Sequence, residues 1–138
     1  MISKQLYDGL VVAINDTDIG TIVVNAKGDV DVINANQIEN IFSGKECSVA
    51  SFSYHKTFIS QENKEILTIY NTGEYGLSAP AEDPNIIHVS DDGNSLAVGS
   101  KGGALTIFGP NLQTSHHSPP RDDDVEVISA ICSDGRGS

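Results

Sequence analysis

The sequence predicts an all-β fold built from repeats of four short antiparallel strands. A lysine returns every 37 residues, as Lys27, Lys64 and Lys101, each time between two apolar runs. The apolar residues are mostly Val and Ile, which suit a pleated surface, and Gly, Asn, Asp and Ser are plentiful between them. A fixed period of this length is typical of repeat architectures, in which each unit leaves one face bare and stacks on the next.

The first repeat is predicted to contain four strands, A to D in chain order. They are expected at residues 10–14, 21–25, 30–33 and about 37–42. Residues 15–18 (NDTD) are expected to form the A–B turn and Lys27-Gly28 the B–C turn, because Asn, Asp and Gly tolerate turn conformations. Short strands joined by such turns predict an antiparallel meander.

Two further repeats follow the same plan. The predicted strands are residues 49–53, 57–60, 66–70 and 74–77 in the second, and 86–89, 96–99, 105–108 and 112–116 in the third. A fourth repeat begins at residues 125–132 (VEVISAIC), which copy strand A of the third repeat. Residues 2–6 are a candidate lone strand D.

Four-stranded units of about 40 residues resemble the blades of a WD40-type β-propeller. The Trp-Asp pair of that family is replaced by Ile-Asn, Tyr-Asn and Phe-Gly at residues 33–34, 70–71 and 108–109, whereas a Ser-Asp-Asp-Gly turn is kept at 90–93. The resemblance implies one partial propeller domain over residues 1–138. Its blades would be 9–46, 47–84 and 85–124, with the start of a fourth at 125–138. A β-sandwich of about a dozen strands is the alternative.

The number of repeats has a physical consequence for the edges of the fold. A propeller needs about four blades to close, and three and a fraction leave open edges with unpaired backbone groups. We therefore expect the remaining blades of a longer chain, or self-association, to complete the ring.

Composition narrows the functional classes. The formal net charge is −11, from 19 acidic and 8 basic residues, so a nucleic-acid backbone would be repelled. No run of 18 apolar residues occurs, so no membrane partner is expected. Cys47 and Cys132 show no metal or redox spacing and are read as free thiols of a reducing compartment. A reducing compartment favours the cytoplasm as the location of the protein, with the nucleus as the alternative.

One rim of the propeller is the candidate binding surface. In the WD40 arrangement the B–C turns and the D–A loops share one face, which would gather five of the eight basic residues. These residues are Lys27, Lys45, Lys64, Lys101 and Arg121. Clustered cations recognise carboxylates and phosphates, so the rim is predicted to dock an acidic or phosphorylated segment. The alternative is that lysine merely fills a polar turn, and Glu82, Asp83 and residues 122–124 would partly cancel the positive field.

No motif for catalysis, a metal or a cofactor is present. Residues 122–124 (DDD) lack calcium-loop spacing, and adjacent His116 and His117 would point to opposite faces of a strand. There is no G-x-S-x-G elbow and no P-loop. The sequence therefore predicts a non-enzymatic protein–protein interaction scaffold. The alternative is a structural subunit whose open blade edges pair with another chain.

Overall fold

The structure, a computed structural model, describes residues 10–35, 37–53, 55–90 and 93–118. Within them twelve strands form three four-stranded antiparallel sheets, each a meander in chain order. This confirms the all-β prediction and every predicted strand of the three repeats. The candidate strands at 2–6 and 125–132, Arg121, Cys132 and the acidic run 122–124 lie outside the described residues.

Each sheet contains the four strands of one repeat, and the three sheets are here called blades 1 to 3. Blade 1 contains β1 (Val11–Thr17), β2 (Gly20–Asn25), β3 (Asp29–Asn34) and β4 (Gln37–Ser43). Blade 2 contains β5 (Ala50–Phe52), β6 (Lys56–Gln61), β7 (Glu65–Tyr70) and β8 (Tyr75–Pro80). Blade 3 contains β9 (Pro84–Val89), β10 (Leu96–Ser100), β11 (Leu105–Phe108) and β12 (Thr114–Ser118).

Two strands end or begin at residues other than those predicted. Strand β1 continues through Thr17, so the predicted NDTD turn is wrong and the connection to β2 is only two residues long. The Thr17 hydroxyl donates to the Gly20 carbonyl and accepts from the Ile19 N–H, which closes this shorter turn. In blade 3 a short 3₁₀ helix, Pro110–Leu112, delays the start of strand D to Thr114.

The three sheets stack face to face and bury two hydrophobic seams. The first seam joins Ile22, Val24, Val30 and Val32 of blade 1 to Ile59 and Ile69 of blade 2, with Cys47 beside them. The second joins Phe58, Ile66 and Ala79 of blade 2 to Ile87, Val89, Leu96, Val98 and Phe108 of blade 3. The A strands are neighbours, since β5 contacts both β1 and β9. Three stacked sheets with adjacent first strands are the arrangement of propeller blades, so the two-sheet sandwich alternative is wrong.

Candidate functional site

One edge of the blade stack is formed by B–C turns and D–A loops in alternation. The loop after blade 1 donates from Cys47 N–H to the Ala26 carbonyl (3.0 Å), and its Glu46 carbonyl accepts from the Glu62 N–H (2.7 Å). The next loop repeats this pattern. Asp83 donates to the Asn63 carbonyl (2.9 Å) and accepts from the Lys101 N–H (3.0 Å). A backbone ladder thus ties residues 25–28, 44–49, 61–64, 81–83 and 100–103 into one edge, here called the lysine rim.

Four of the predicted binding residues lie on the lysine rim with exposed side chains. Lys27, Lys64 and Lys101 occupy the three B–C turns, and Lys45 occupies the first D–A loop. The Lys45 ammonium lies 3.9 Å from a Glu62 carboxylate oxygen, but both side chains are largely in solvent, so this pair contributes little. The structure therefore brings these four lysines to one edge, while Arg121 lies beyond the described residues.

The three repeating lysines share a turn but not a position within it. Blades 1 and 3 use turns that end in a glycine of positive φ, Gly28 (φ 93°) and Gly103 (φ 87°). In blade 2 three residues connect β6 to β7, and the central residues of the turn 61–64, Glu62 and Asn63, both have positive φ, as in a type I′ turn. The lysine is consequently the third, fourth and second residue of its turn in the three blades. The period of 37 residues marks the turns without aligning the ammonium groups.

Carboxylates alternate with the lysines along the same edge. Glu46, Glu62, Glu82 and Asp83 are exposed on the rim, and Glu65 is half-buried at the start of β7. The rim is therefore a row of alternating charges. A partner would have to place its own charges in register with the lysines to avoid repulsion from these acidic groups.

Buried polar side chains hold the first D–A loop against blade 2. Gln61, 5% exposed, accepts from the Lys45 N–H (2.9 Å) and donates to the Lys45 carbonyl (3.3 Å). The fully buried Ser60 hydroxyl accepts from the N–H groups of Ser48 (2.9 Å) and Val49 (3.2 Å). Gln61 therefore positions the backbone of Lys45, and Ser60 holds the end of the same loop. Sequence reasoning missed them because Ser and Gln at a strand end indicate only a turn.

Cys47 is a buried free thiol, as the sequence predicted. Its thiol donates to the Val49 carbonyl (3.3 Å), and the Ser60 hydroxyl lies 3.7 Å from its sulfur. Burial raises the pKa of the Cys47 thiol, and hydrogen bonding to the sulfur by the Ser60 side chain and by the backbone of Ser60 and Val49 offsets that rise only in part. The thiol is therefore a packing group of the first seam and a poor nucleophile at neutral pH.

The described residues contain no group of three or more His, Cys, Asp or Glu side chains that could hold a metal ion. His116 and His117 pair with different residues of β11, and His117 Nδ1 lies 2.8 Å from the Thr106 hydroxyl. None of the helices in the described part of the chain has the length and apolar character that a membrane span requires.

Comparison with known proteins identifies the fold. No family model matches the sequence, and no curated protein matches it. Among solved structures, Hsv2 from Kluyveromyces marxianus superimposes with a TM-score of 0.68 at 15% identity, covering 88% of this chain and 40% of that one. The C-terminal WD40 domain of Sif2 gives 0.67 at 11% identity, covering 88% and 39%.

A third similar structure belongs to an assembly. A chain of the S. cerevisiae complex in which Dbp5 is bound to Nup159, Gle1, IP6 and ADP gives a TM-score of 0.61 at 12% identity, covering 80% of this chain and 31% of that one. Identities this low show the fold alone. The three sheets are blades of a WD40-type β-propeller, and within the described residues they do not close a ring. The chain spans about two-fifths of the length of the Hsv2 and Sif2 propellers.

Proposed function

We propose that this chain is a non-enzymatic scaffold that binds protein partners, and that the lysine rim docks an acidic or phosphorylated segment. The observation that carries the proposal is the placement of the cations. Of the five basic residues that the structure describes, Lys27, Lys45, Lys64 and Lys101 lie exposed on one edge, and Lys56 lies at the start of β6, away from it. WD40-type propellers generally serve as protein-interaction scaffolds, which supports the proposal that this chain binds protein partners.

The backbone beneath the rim suits it to recognition. Each B–C turn is hydrogen-bonded to a D–A loop, so the lysines stand on a fixed ladder while their side chains remain in solvent. Loops held by a rigid scaffold are common binding sites. Anionic groups of a partner would bind the ammonium groups by charge-assisted hydrogen bonds, and the intervening carboxylates would set the register. The net charge of −11 argues against nucleic acid as the anionic partner.

A structural role is the second candidate. The propellers that this chain resembles are more than twice the length that it covers. We propose that the blade edges left open pair with the remaining blades of a longer chain or with a second chain. Because the rim lies across the blades and not at the ends of the stack, the two roles are compatible. An intracellular, reducing location, in the cytoplasm or the nucleus, fits the buried free thiol of Cys47.

The docking proposal is tested with two fluorescein-labelled peptides of one sequence, one carrying three phosphoserines and one carrying serines. Fluorescence anisotropy should show tighter binding of the phosphorylated peptide. Lys64→Gln or Lys101→Gln should each weaken it about 3-fold, and the triple variant with Lys27→Gln about 10-fold or more, since each exposed pair contributes up to about 1 kcal/mol.

The matched control is Lys56→Gln, which removes the same charge from outside the rim and should change the affinity less than 2-fold. Equal losses in Lys56→Gln and Lys64→Gln would mean that net charge alone attracts the peptide. Unchanged binding in the triple variant would refute the rim as the docking surface.

A further inference from the structure

The fourth strand of each blade is an outer edge, and the three edges differ in chemistry. Within the described residues no strand pairs with the outer side of β4, β8 or β12. Strand β4 carries the charge of Glu39 near its centre, and β12 (TSHHS) is polar throughout. Strand β8 (YGLSAP) has no charged residue and exposes Tyr75 (71%) and Leu77 (51%). Natural sheet edges usually carry charges that prevent pairing, and β8 lacks this protection.

The two exposed side chains of β8 lie on opposite sides of the strand. A register shift in the pairing of β7 with β8 separates them. The Tyr75 ring contacts Phe42 of blade 1, with centroids 6.2 Å apart. Leu77 lines a small cavity of about 50 Å³ toward blade 3, together with Tyr70 and Leu112. An incoming strand would therefore find an apolar neighbour on each of its faces.

Both ends of β8 are acidic. Glu74 precedes the strand, and Glu82 and Asp83 follow it with exposed side chains. The latter two line an open cleft of about 590 Å³ together with Thr106 and His117. An uncharged apolar centre between anionic ends is complementary to an extended segment with apolar side chains in the middle and a Lys or Arg at its end.

We propose that the outer edge of β8 binds such a segment of a partner protein, which adds to blade 2 as a fifth strand. Backbone hydrogen bonds to the free edge would supply the affinity, and contacts with Tyr75 and Leu77 the side-chain preference. The six residues of β8 span about 20 Å, so the segment would be of similar length. One cationic side chain enters the cleft beside Glu82 and Asp83. This surface meets the lysine rim at Glu82 and Asp83, but its centre, Tyr75 and Leu77, lies outside the rim, and it takes a partner of opposite charge.

The probe is a fluorescein-labelled peptide of sequence KVTVTVK, measured by fluorescence anisotropy against the full chain. The double variant Tyr75→Ser/Leu77→Ser should weaken binding at least 10-fold. The matched control is Ile38→Ser on β4, where a side chain of 41% exposure is truncated on another outer strand, and it should change the affinity less than 2-fold. Glu82→Gln/Asp83→Asn should weaken binding about 5-fold and flatten its salt dependence. Retained affinity of the double variant for the phosphoserine peptide would show that the fold and the rim are intact.

Backbone pairing is tested with two versions of the probe that are N-methylated at alternate amides. One version should lose binding and the other should keep it, because alternate N–H groups of an added strand face its neighbour. Equal binding of both versions, or unchanged binding by the double variant, would overturn the proposal. A concentration-dependent dimer in light scattering that the double variant abolishes would assign the edge to a second copy and would also overturn it.

Discussion

The two seams between blades are filled by different sets of side chains. The first is lined by aliphatic side chains, among them Ile22, Val24 and Ile59, and borders on the buried polar groups of Ser60 and Gln61. The second contains two buried phenylalanines, Phe58 and Phe108. The fully buried members of the first seam are thus aliphatic side chains and Cys47 beside a polar clamp, whereas the second seam adds two buried phenylalanine rings to its aliphatic side chains.

The connecting loops explain why the first seam has buried polar partners and the second does not need them. The loop between β4 and β5 covers residues 44–49, and that between β8 and β9 covers only 81–83. The short loop is held by the backbone bonds of Ala81 and Asp83. The long loop makes the equivalent bond from Cys47 but leaves further N–H groups to be satisfied by Ser60 and Gln61. Longer loops therefore require buried polar partners, which the first seam supplies.

The largest effect on the free energy of unfolding is expected from truncating Phe108 in the second seam. Phe108 is 1% exposed, and Phe108→Ala should destabilise the fold by about 3–5 kcal/mol through lost burial and a residual cavity. Ile59→Val, at a fully buried position of the aliphatic seam, should cost only about 0.5–1.5 kcal/mol. Urea unfolding followed by circular dichroism measures both.

If Phe108→Ala does not fold, Phe108→Leu keeps the comparison measurable, with an expected cost of about 1 kcal/mol. If Phe108→Ala lowers the free energy of unfolding no more than Ile59→Val does, the second seam does not depend on the Phe108 ring.

A smaller effect is expected from removing the clamp of the first seam. Gln61→Ala leaves the N–H and carbonyl of Lys45 without their side-chain partner and should cost about 1–3 kcal/mol. The matched control is Ser100→Ala. Ser100 begins the corresponding turn of blade 3, but among the described residues its hydroxyl bonds only to Ala104 of the same blade, so its loss should lower the free energy of unfolding by about 0.5–1.5 kcal/mol. Equal costs at the two positions would show that bridging between blades adds no stability.

Local chemistry made the strands predictable from the sequence. Runs such as VDVI and LTIF at residues 30–33 and 105–108 alternate into the seams, and Gly28 and Gly103 mark their turns, so strand order and fold followed from local pattern. The type of the blade 2 turn did not follow, because Glu62 and Asn63 adopt positive φ without a glycine to signal it. Tyr70 falls in the predicted strand at residues 66–70 but is 36% exposed, since it ends β7.

The candidate site was predictable only in part for a similar reason. Turn residues are local, so the sequence located Lys27, Lys64 and Lys101 on one edge. The clamp formed by Gln61 joins residues 16 positions apart and depends on how blades stack. The free edge of β8 likewise became visible only when Tyr75 and Leu77 were seen to be exposed. Contacts between residues of different repeats leave no periodic pattern in the sequence, so they could not be predicted from it.

The smallest expected effect concerns the pH dependence of the first seam. Burial raises the pKa of the Cys47 thiol, so the folded chain holds this proton more tightly than the unfolded chain. In an unfolded chain the pKa of a cysteine thiol is about 8.5. Below that pH the group is protonated in both states and adds no pH dependence. As the pH rises above it, the unfolded state releases the proton first and stability falls. The difference in unfolding free energy between the wild type and Cys47→Ala should therefore be constant up to about pH 8 and should shrink toward pH 10. Phe108→Leu, a variant of the other seam, should keep a constant difference from the wild type over this range. A constant difference for Cys47→Ala as well would mean that the thiol titrates alike in both states, and the first seam would then be less closed around Cys47 than its burial indicates.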